Sequence, residues 1–263
     1  MRKDISNTVL KTNDLSIGYK KKNLINCIAR GIDFEINKGE LTAVIGVNGA
    51  GKSTLLKTLS GLIQPIKGEV LINNLKLNNI SPEEMAKQVS LVLTEQSISK
   101  SLSVMELVAL GRQPYTDWLG RLTKTDLKNL MNAIELVNIR SIKNKKCYEL
   151  SDGQFQKVLI ARALAQDTSL IILDEPTTHL DLYHKAYVLK LLQRLTKDTN
   201  KAILFATHEI NLALQLCDKL LIIREDRVLF GKPSKLIELD AFQDLFPGEL
   251  IHFDKESSSF KIK

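Results

Sequence analysis

The stretch Gly46-Val47-Asn48-Gly49-Ala50-Gly51-Lys52-Ser53 constrains the fold of this chain more than any other, because it fits GxxxxGK[ST] and lies between two recognisable elements. Ahead of it, Leu41-Thr42-Ala43-Val44-Ile45 is a short, almost wholly apolar run suited to a strand buried on both faces; behind it, Leu55, Leu56, Leu59 and Leu62 recur at helical spacing. A strand, a glycine-rich loop and a helix in that order turn backbone N–H groups inward around an anion, and the helix adds its positive end to the same point. In this reading Gly46, Asn48, Gly49, Ala50 and Gly51 form a phosphate cradle of a nucleotide, ATP, and Lys52 reaches its β and γ phosphates. Ser53 then faces Mg²⁺ and Thr54 lies near the α phosphate. The alternative is a glycine-rich turn that only links strand to helix.

The rest of the chain fits an α/β organisation. In residues 31–37, Ile32, Phe34 and Ile36 alternate at period two, which predicts a half-buried antiparallel strand and so a β layer near the N-terminus. Ser81-Pro82-Glu83-Glu84 opens a helix with a capping box, and a strand follows over Val89 to Leu93. From about residue 97 to 165 the chain reads as all-helical: Ser103 and Glu106 form a second capping box, Gly111 is placed to end that helix, and Leu127, Leu130, Met131, Ile134 and Val137 mark another amphipathic helix. Two buried strands, 170–173 and 202–206, flank a helix over Tyr183 to Leu195; strands alternating with helices imply a parallel sheet. A hairpin around Arg224-Glu225-Asp226-Arg227 precedes a helical and extended tail. The expected architecture is one domain, 1–263: a mostly parallel P-loop NTPase core, an N-terminal antiparallel layer and a helical subdomain inserted at about 97–165.

Two further clusters carry chemistry. The strand Leu170-Ile171-Ile172-Leu173 delivers Asp174 and Glu175 to its C-terminal end, where ligands of open α/β sheets bind. Two adjacent acids permit a division of labour, with Asp174 in a Mg²⁺ shell and Glu175 orienting and polarising the attacking water. Between the loop and this pair stands Leu150-Ser151-Asp152-Gly153-Gln154. Ser151 and Gln154 read as a capping box for a helix carrying Phe155, Val158 and Leu159, and Ser151 with Gly153 at that helix start also makes a second anion site. Two phosphate sites in one chain suggest a nucleotide shared between two chains.

With these motifs in this order, nearly the whole chain resembles an ABC transporter ATP-binding subunit, and residues 150–154 are similar to that family's LSGGQ signature. The resemblance implies ATP hydrolysis in a sandwich dimer of two copies, with Ser151, Gly153 and Gln154 on the opposite copy's nucleotide. It also implies that Gln96 senses Mg²⁺ and the attacking water, that His208 hydrogen-bonds the γ phosphate and steadies the catalytic carboxylate, and that Asp181 contacts the opposite phosphate loop. Tyr19 resembles the aromatic that stacks on adenine; its alternative is a packed core tyrosine. The sequence departs from the family pattern where Asp152 replaces a glycine, where Phe155 stands at a usually basic or polar position, and where Thr94-Glu95 precedes Gln96.

The insert segment Val104 to Tyr115, with its Gly111-Arg112-Gln113-Pro114-Tyr115, resembles that of ATPases serving iron-siderophore, haem and cobalamin importers. Such a subunit docks on integral-membrane permease subunits at the cytoplasmic face of the membrane and meets a substrate-binding protein only indirectly. Two competing readings, an ABC ATPase for another transported substrate and a soluble non-transport ABC ATPase, differ from this one in the insert and in the absence here of long coiled-coil insertions or duplicated halves. A small-molecule P-loop kinase would lack the Ser151 signature and the His208 that follows Asp174-Glu175.

Composition narrows the partners. The net charge of +7 admits nucleic acid, acidic lipid or a phosphate ligand, but the basic runs Lys20-Lys21-Lys22 and Lys143 to Lys146 are short and fall where loops are expected, so no nucleic acid partner is anticipated. Cys27, Cys147 and Cys217 are far apart with no metal-ligand spacing and read as unpaired thiols of a reducing compartment. No apolar run approaches the roughly 18–20 residues that span a bilayer, and Met1-Arg2-Lys3-Asp4 precedes no signal segment, so a cytoplasmic location is expected.

Overall fold

A computed structural model describes residues 7–21, 24–94, 99–224, 227–243, 245–246 and 250–263. The chain opens with two long antiparallel strands, β1 (Thr8–Lys21) and β2 (Leu24–Asn37). β3 (Leu41–Ile45) leads through the glycine-rich loop into α1 (Lys52–Leu59), after which β4 (Lys67–Ile72) and the two-residue β5 (Leu75–Lys76) return to the first layer. That layer is an antiparallel sheet of order β2-β1-β4-β5. β1 escapes a period-two reading because its register shifts several times and Asp14 adopts a left-handed φ of 45°, so Val9 and Leu10, adjacent in sequence, are both buried.

The second layer begins with α2 (Pro82–Gln88), β6 (Val89–Val92) and β7 (Leu170–Asp174), with the helical insert between β6 and β7. The insert comprises α3 (Val104–Ala109), α4 (Lys124–Leu136) and α5 (Asp152–Ala165). After β7 come α6 (Leu182–Thr199), β8 (Ala202–Ala206), α7 (Ile210–Leu216), β9 (Lys219–Ile223), β10 (Val228–Gly231) and α8 (Pro233–Glu238). The sheet order is β10-β9-β3-β8-β7-β6, parallel throughout except for the edge strand β10, which forms the expected hairpin with β9. The tail ends in a hairpin of β11 (Ile251–Asp254) and β12 (Ser259–Ile262), packed through Phe253 and Phe260 on Phe242; the pairing of these strands was not evident from the sequence pattern.

Strand side chains divide cleanly between two cores, as a sheet covered on both faces demands. Ile171, Leu173, Ile203 and Phe205 face the helices α5 and α6, while Leu170, Ile172, Leu204 and Leu221 face α1 and the antiparallel layer. Phe205 is fully buried, a burial worth about 1.5–3 kcal/mol. This two-sided anchoring fixes the C-terminal ends of β3, β7 and β8, which carry the site.

Three capping boxes of the insert and its approach form as the sequence indicates, at Ser81, Ser103 and Ser151, and another is present at Thr123. The α-helix ends at Ala109 with Leu110 as its C-cap, directly ahead of Gly111, but Gly111 does not take the left-handed conformation of a glycine stop. The chain continues through a 3₁₀ turn, Leu110–Tyr115, and Gly111 instead permits close approach to α5, since a Cβ there would lie 2.3 Å from the Arg162 carbonyl oxygen. Leu127 also departs from the expected apolar face and lies exposed, whereas Leu130, Ile134 and Val137 are buried. Arg112 is buried: it pairs with Asp126 at 2.8 Å, donates to the Ala165 carbonyl at 2.7 Å and lies 4.0 Å from the Tyr115 ring centre. Hydrogen bonds from Thr123, and then the Arg112 guanidinium, hold the Asp126 carboxyl below its ordinary pKa. Among the described residues no helix is long and apolar enough to cross a membrane. Cys27, Cys147 and Cys217 are free thiols.

Candidate functional site

The loop between β3 and α1 is shaped by its backbone. Gly49 and Gly51 have φ of 81° and 99°, and a Cβ on Gly46 would stand 2.7 Å from the Ile223 carbonyl oxygen at the end of β9. Asn48 is exposed at the loop tip, and the Ala50 N–H donates to the Val47 carbonyl at 3.2 Å. Gly51 is the N-cap of α1 and no side chain caps the helix, so its first N–H groups face the loop interior with the helix dipole behind them. Lys52 folds over this loop, donating from Nζ to the carbonyls of Gly46 at 3.0 Å and Val47 at 3.3 Å. Burial lowers the Lys52 pKa, and the charges of Glu175 and Asp174 oppose that shift.

Next to Lys52, the Ser53 hydroxyl donates to Asp174 Oδ1 at 3.0 Å, which puts a neutral and an anionic oxygen side by side at the end of β7. Burial raises the Asp174 pKa, the Ser53 hydrogen bond lowers it, and the neighbouring Glu175 charge raises it. Two hard oxygen donors beside an anion cradle fit Mg²⁺, which prefers oxygen and keeps part of its water shell. Thr54 Oγ1 lies 3.2 Å from the Tyr19 hydroxyl. Tyr19 is 46% exposed, so it is not a packed core tyrosine.

Glu175 turns out of the strand with a left-handed φ of 47°, rare for a residue with a side chain, while its N–H donates to the Ala206 carbonyl of β8 at 3.1 Å. Its carboxylate is held from two sides, by His208 Nε2 at 2.7 Å and by the Thr178 hydroxyl at 3.2 Å. His208 lies just beyond β8, so the parallel pairing of β7 with β8 is what brings these two residues together. Two participants were missed in the sequence. Thr178 lies three residues after Glu175, a spacing at which a hydroxyl can cap a turn. Thr94, which departs from the family pattern, donates to the Asp174 carbonyl at 2.8 Å and braces the strand end. Gln96 lies outside the described residues.

The remaining candidates form a separate group. The Gln154 N–H donates to Ser151 Oγ at 3.4 Å and the Ser151 N–H to Gln154 Oε1 at 3.2 Å, closing the box at the start of α5. Gly153 is buried against His184. Asp181 caps α6, accepting the His184 N–H at 2.8 Å. Among the described residues no hydrogen bond joins Ser151, Gly153 or Gln154 to Lys52, Ser53 or Asp174. Asp152 and Phe155 line a cleft of about 250 Å³ between the insert and the sheet, which Asp174, Glu175 and Thr178 line from the other side. Lys100 extends over Phe155, 5.2 Å from the ring centre, so the aromatic residue at this position meets a basic partner within the chain.

Residues 29–178 match the family described as ABC transporter. An uncharacterized ABC transporter ATP-binding protein of Methanocaldococcus jannaschii is 40% identical over 256 residues, covering 97% of this chain and 87% of the relative. The petrobactin import ATP-binding protein FpuD of Bacillus anthracis is 34% identical over 238 residues, covering 90% and 86%. Among solved structures, a metal-chelate type ABC transporter in an inward-facing conformation superposes with a TM-score of 0.77 at 29% identity, covering 97% of this chain and 96% of that one. A dimeric ATP-binding cassette in a post-hydrolysis state bound to ADP and Pi superposes with a TM-score of 0.71 at 27% identity, covering 85% and 98%.

Proposed function

The chain belongs to the ABC transporter family as an ATP-binding subunit, and from that premise we propose that two copies sandwich two ATP molecules and hydrolyse them to drive a membrane permease. The observation that carries the reading is the Glu175 carboxylate, fixed by His208 and Thr178 beside the Ser53–Asp174 pair.

In this mechanism the loop N–H groups and Lys52 bind the β and γ phosphates, and Tyr19 offers its exposed ring to adenine. On ATP binding Lys52 exchanges the carbonyls of Gly46 and Val47 for phosphate oxygens. Ser53 and Asp174 would hold Mg²⁺, and the ion would supply neutralisation of phosphate charge there. Glu175 accepts a hydrogen bond from water and aims it at the γ phosphorus; His208 steadies that carboxylate and hydrogen-bonds the γ phosphate. Gln96 would join that shell, a role taken from the family resemblance alone. Ser151, Gly153, Gln154 and Asp181 of the second copy close the site, so binding drives closure and hydrolysis reverses it.

The cargo class is an iron-siderophore, haem or cobalamin-type chelate, supported by the petrobactin importer relative and the metal-chelate type neighbour. Residues 1–263 then act as one ATPase domain with the helical subdomain at about 97–165, docked on permease subunits at the cytoplasmic face of the membrane and linked to a substrate-binding protein only through them. The buried Arg112 is a structural pin of the insert, so any permease contact in this region uses its neighbours.

The test is Glu175→Gln beside the wild type in excess Mg-ATP, recording phosphate release and mass in solution. Phosphate release is expected to fall by about 100-fold or more, with a persistent dimer of the variant. Hydrolysis at the wild-type rate would remove Glu175 from its role, and an inactive variant that stays monomeric would remove the shared nucleotide.

A further inference from the structure

His184 was not a candidate in the sequence, yet it touches both groups that the chain would present to its second copy. Its Nδ1 lies 2.9 Å from each carboxylate oxygen of Asp181, and its backbone N–H donates to Asp181 Oδ1 at 2.8 Å. On its other side the ring lies against the start of α5: a Cβ on Gly153 would stand 2.9 Å from His184 Cδ2 and 3.6 Å from Cγ and Nε2. Gly153 is therefore a glycine partly because an imidazole occupies the space of its side chain.

The hydrogen-bond chemistry fixes the tautomer. The His184 hydrogen bonds hold the Asp181 pKa below its ordinary value, so the carboxylate is ionised and can only accept. Nδ1 then donates to Asp181, and the Cδ2 edge of the ring faces Gly153. Asp181 remains 67% exposed and available to another molecule, although its orientation is set from behind by the imidazole. Tyr183 meets the His184 ring edge-on at 5.4 Å, and on the next residue Lys185 pairs at 2.6 Å with Glu209, which follows His208. The Lys185–Glu209 pair thus fastens the first turn of α6 to the segment after β8.

We infer that His184 is a positioning residue that locks the Asp181 carboxylate to the Ser151–Gly153 helix start, so that both reach the second copy's nucleotide as one rigid unit. This rests on the shared-nucleotide reading above. The alternative is a local packing contact, in which the imidazole could be exchanged for any ring of similar size.

Three variants separate the two. His184→Ala removes donor and ring, His184→Asn keeps an N–H donor near the Nδ1 position, and His184→Phe keeps a ring on Gly153 without the donor. At saturating ATP, His184→Ala should release phosphate about tenfold more slowly with KM for ATP changed by less than about twofold, because misplacement of the closing groups acts on turnover and leaves the chain's own phosphate loop intact. His184→Asn should recover to within about threefold of wild type, and His184→Phe should stay low. In the Glu175→Gln background, His184→Ala should raise the protein concentration needed for the ATP-induced dimer by about tenfold, with Glu175→Gln alone as the control.

Wild-type turnover in His184→Ala, or recovery by His184→Phe but not by His184→Asn, overturns the inference. If His184→Ala does not fold, the Asn and Phe variants still decide between hydrogen bond and packing. Failure of Glu175→Gln alone to dimerise would instead bring down the shared-nucleotide reading. Its dimerisation to the same extent with and without His184 would overturn only the role given to His184.

Discussion

The two glycine-containing loops at helix starts, 46–53 and 150–154, solve the same electrostatic problem in opposite ways. In the phosphate loop, no side chain caps α1, and glycines with φ of 81° and 99° shape a backbone cradle beside the buried core under the antiparallel layer. In the signature loop, Ser151 and Gln154 satisfy the helix start with side chains, and its distinguishing feature is a buried glycine against an imidazole. The phosphate loop leaves its donors open for an anion and is committed to one by its geometry alone. The signature loop has the same local construction as the helix starts at Ser81, Ser103 and Thr123, and acquires a purpose only through what it faces.

The signature loop rests on a different foundation, the insert pinned by the buried Arg112–Asp126 pair, and this is where the largest effect is expected. Asp126→Ala would leave the Arg112 guanidinium buried without its carboxylate, costing about 3–5 kcal/mol in chemical denaturation. If the loops are independently supported, the folded fraction should still bind ATP with wild-type affinity while phosphate release falls. Lost ATP affinity would break the comparison. The same pair predicts a pH signature. A carboxyl with a depressed folded pKa stabilises fully above its unfolded value, near 3.8, and loses that contribution as pH falls through the lower folded value. Thermal melts of the wild type should therefore lose stability below about pH 4, and Asp126→Asn should flatten this part of the profile.

The next effect sets one glycine against the other. Alanine at Gly51 would hold a side chain at φ 99° and place Cβ 2.5 Å from Ile28 Cγ2, a strain on the cradle itself. ATP binding should weaken by about 100-fold, roughly 2.8 kcal/mol, in a titration that needs no hydrolysis. Alanine at Gly153 would push the His184 ring, and Asp181 with it, out of place without touching the phosphate loop, so ATP binding by the free subunit should stay within about twofold while turnover drops. Equal losses of binding would show that the signature loop serves its own chain's nucleotide.

This asymmetry explains what was legible in the sequence. The strand, loop and helix at 41–59 could be read because backbone conformation there is written in residue type, as glycine where φ is positive and apolar residues where a strand has no exposed face. Asp174 and Glu175 were legible from a strand end, and His208 only through the family resemblance. The 14 residues of β1 were not, because bulges disturb the alternation that identifies a strand. Gly111 read as a helix stop, since its reason for being glycine is the Arg162 carbonyl about 50 residues away. His184 escaped notice for a related reason, as its contact with Gly153 is set by tertiary packing, while the Thr178 spacing to Glu175 gains meaning only with the unusual φ of Glu175. Local conformation can be read from the sequence, whereas contacts set by the fold cannot.

The smallest effect probes the signature loop most directly. Ser151→Ala removes a cap and should cost about 1 kcal/mol of stability, as at any capped helix start. Ser81→Ala removes a cap from a box of the same construction in α2, away from the sheet's C-terminal edge, and should cost about as much. If capping were all that Ser151 did, the two variants would also match in phosphate release. The shared-nucleotide reading requires them to differ: Ser81→Ala near the wild-type rate, and Ser151→Ala about tenfold slower because a hydroxyl aimed at the second copy's phosphate has gone. Equal denaturation midpoints with unequal turnover would thus separate what the serine does for its own helix from what it does for the partner, using one measurement of each kind.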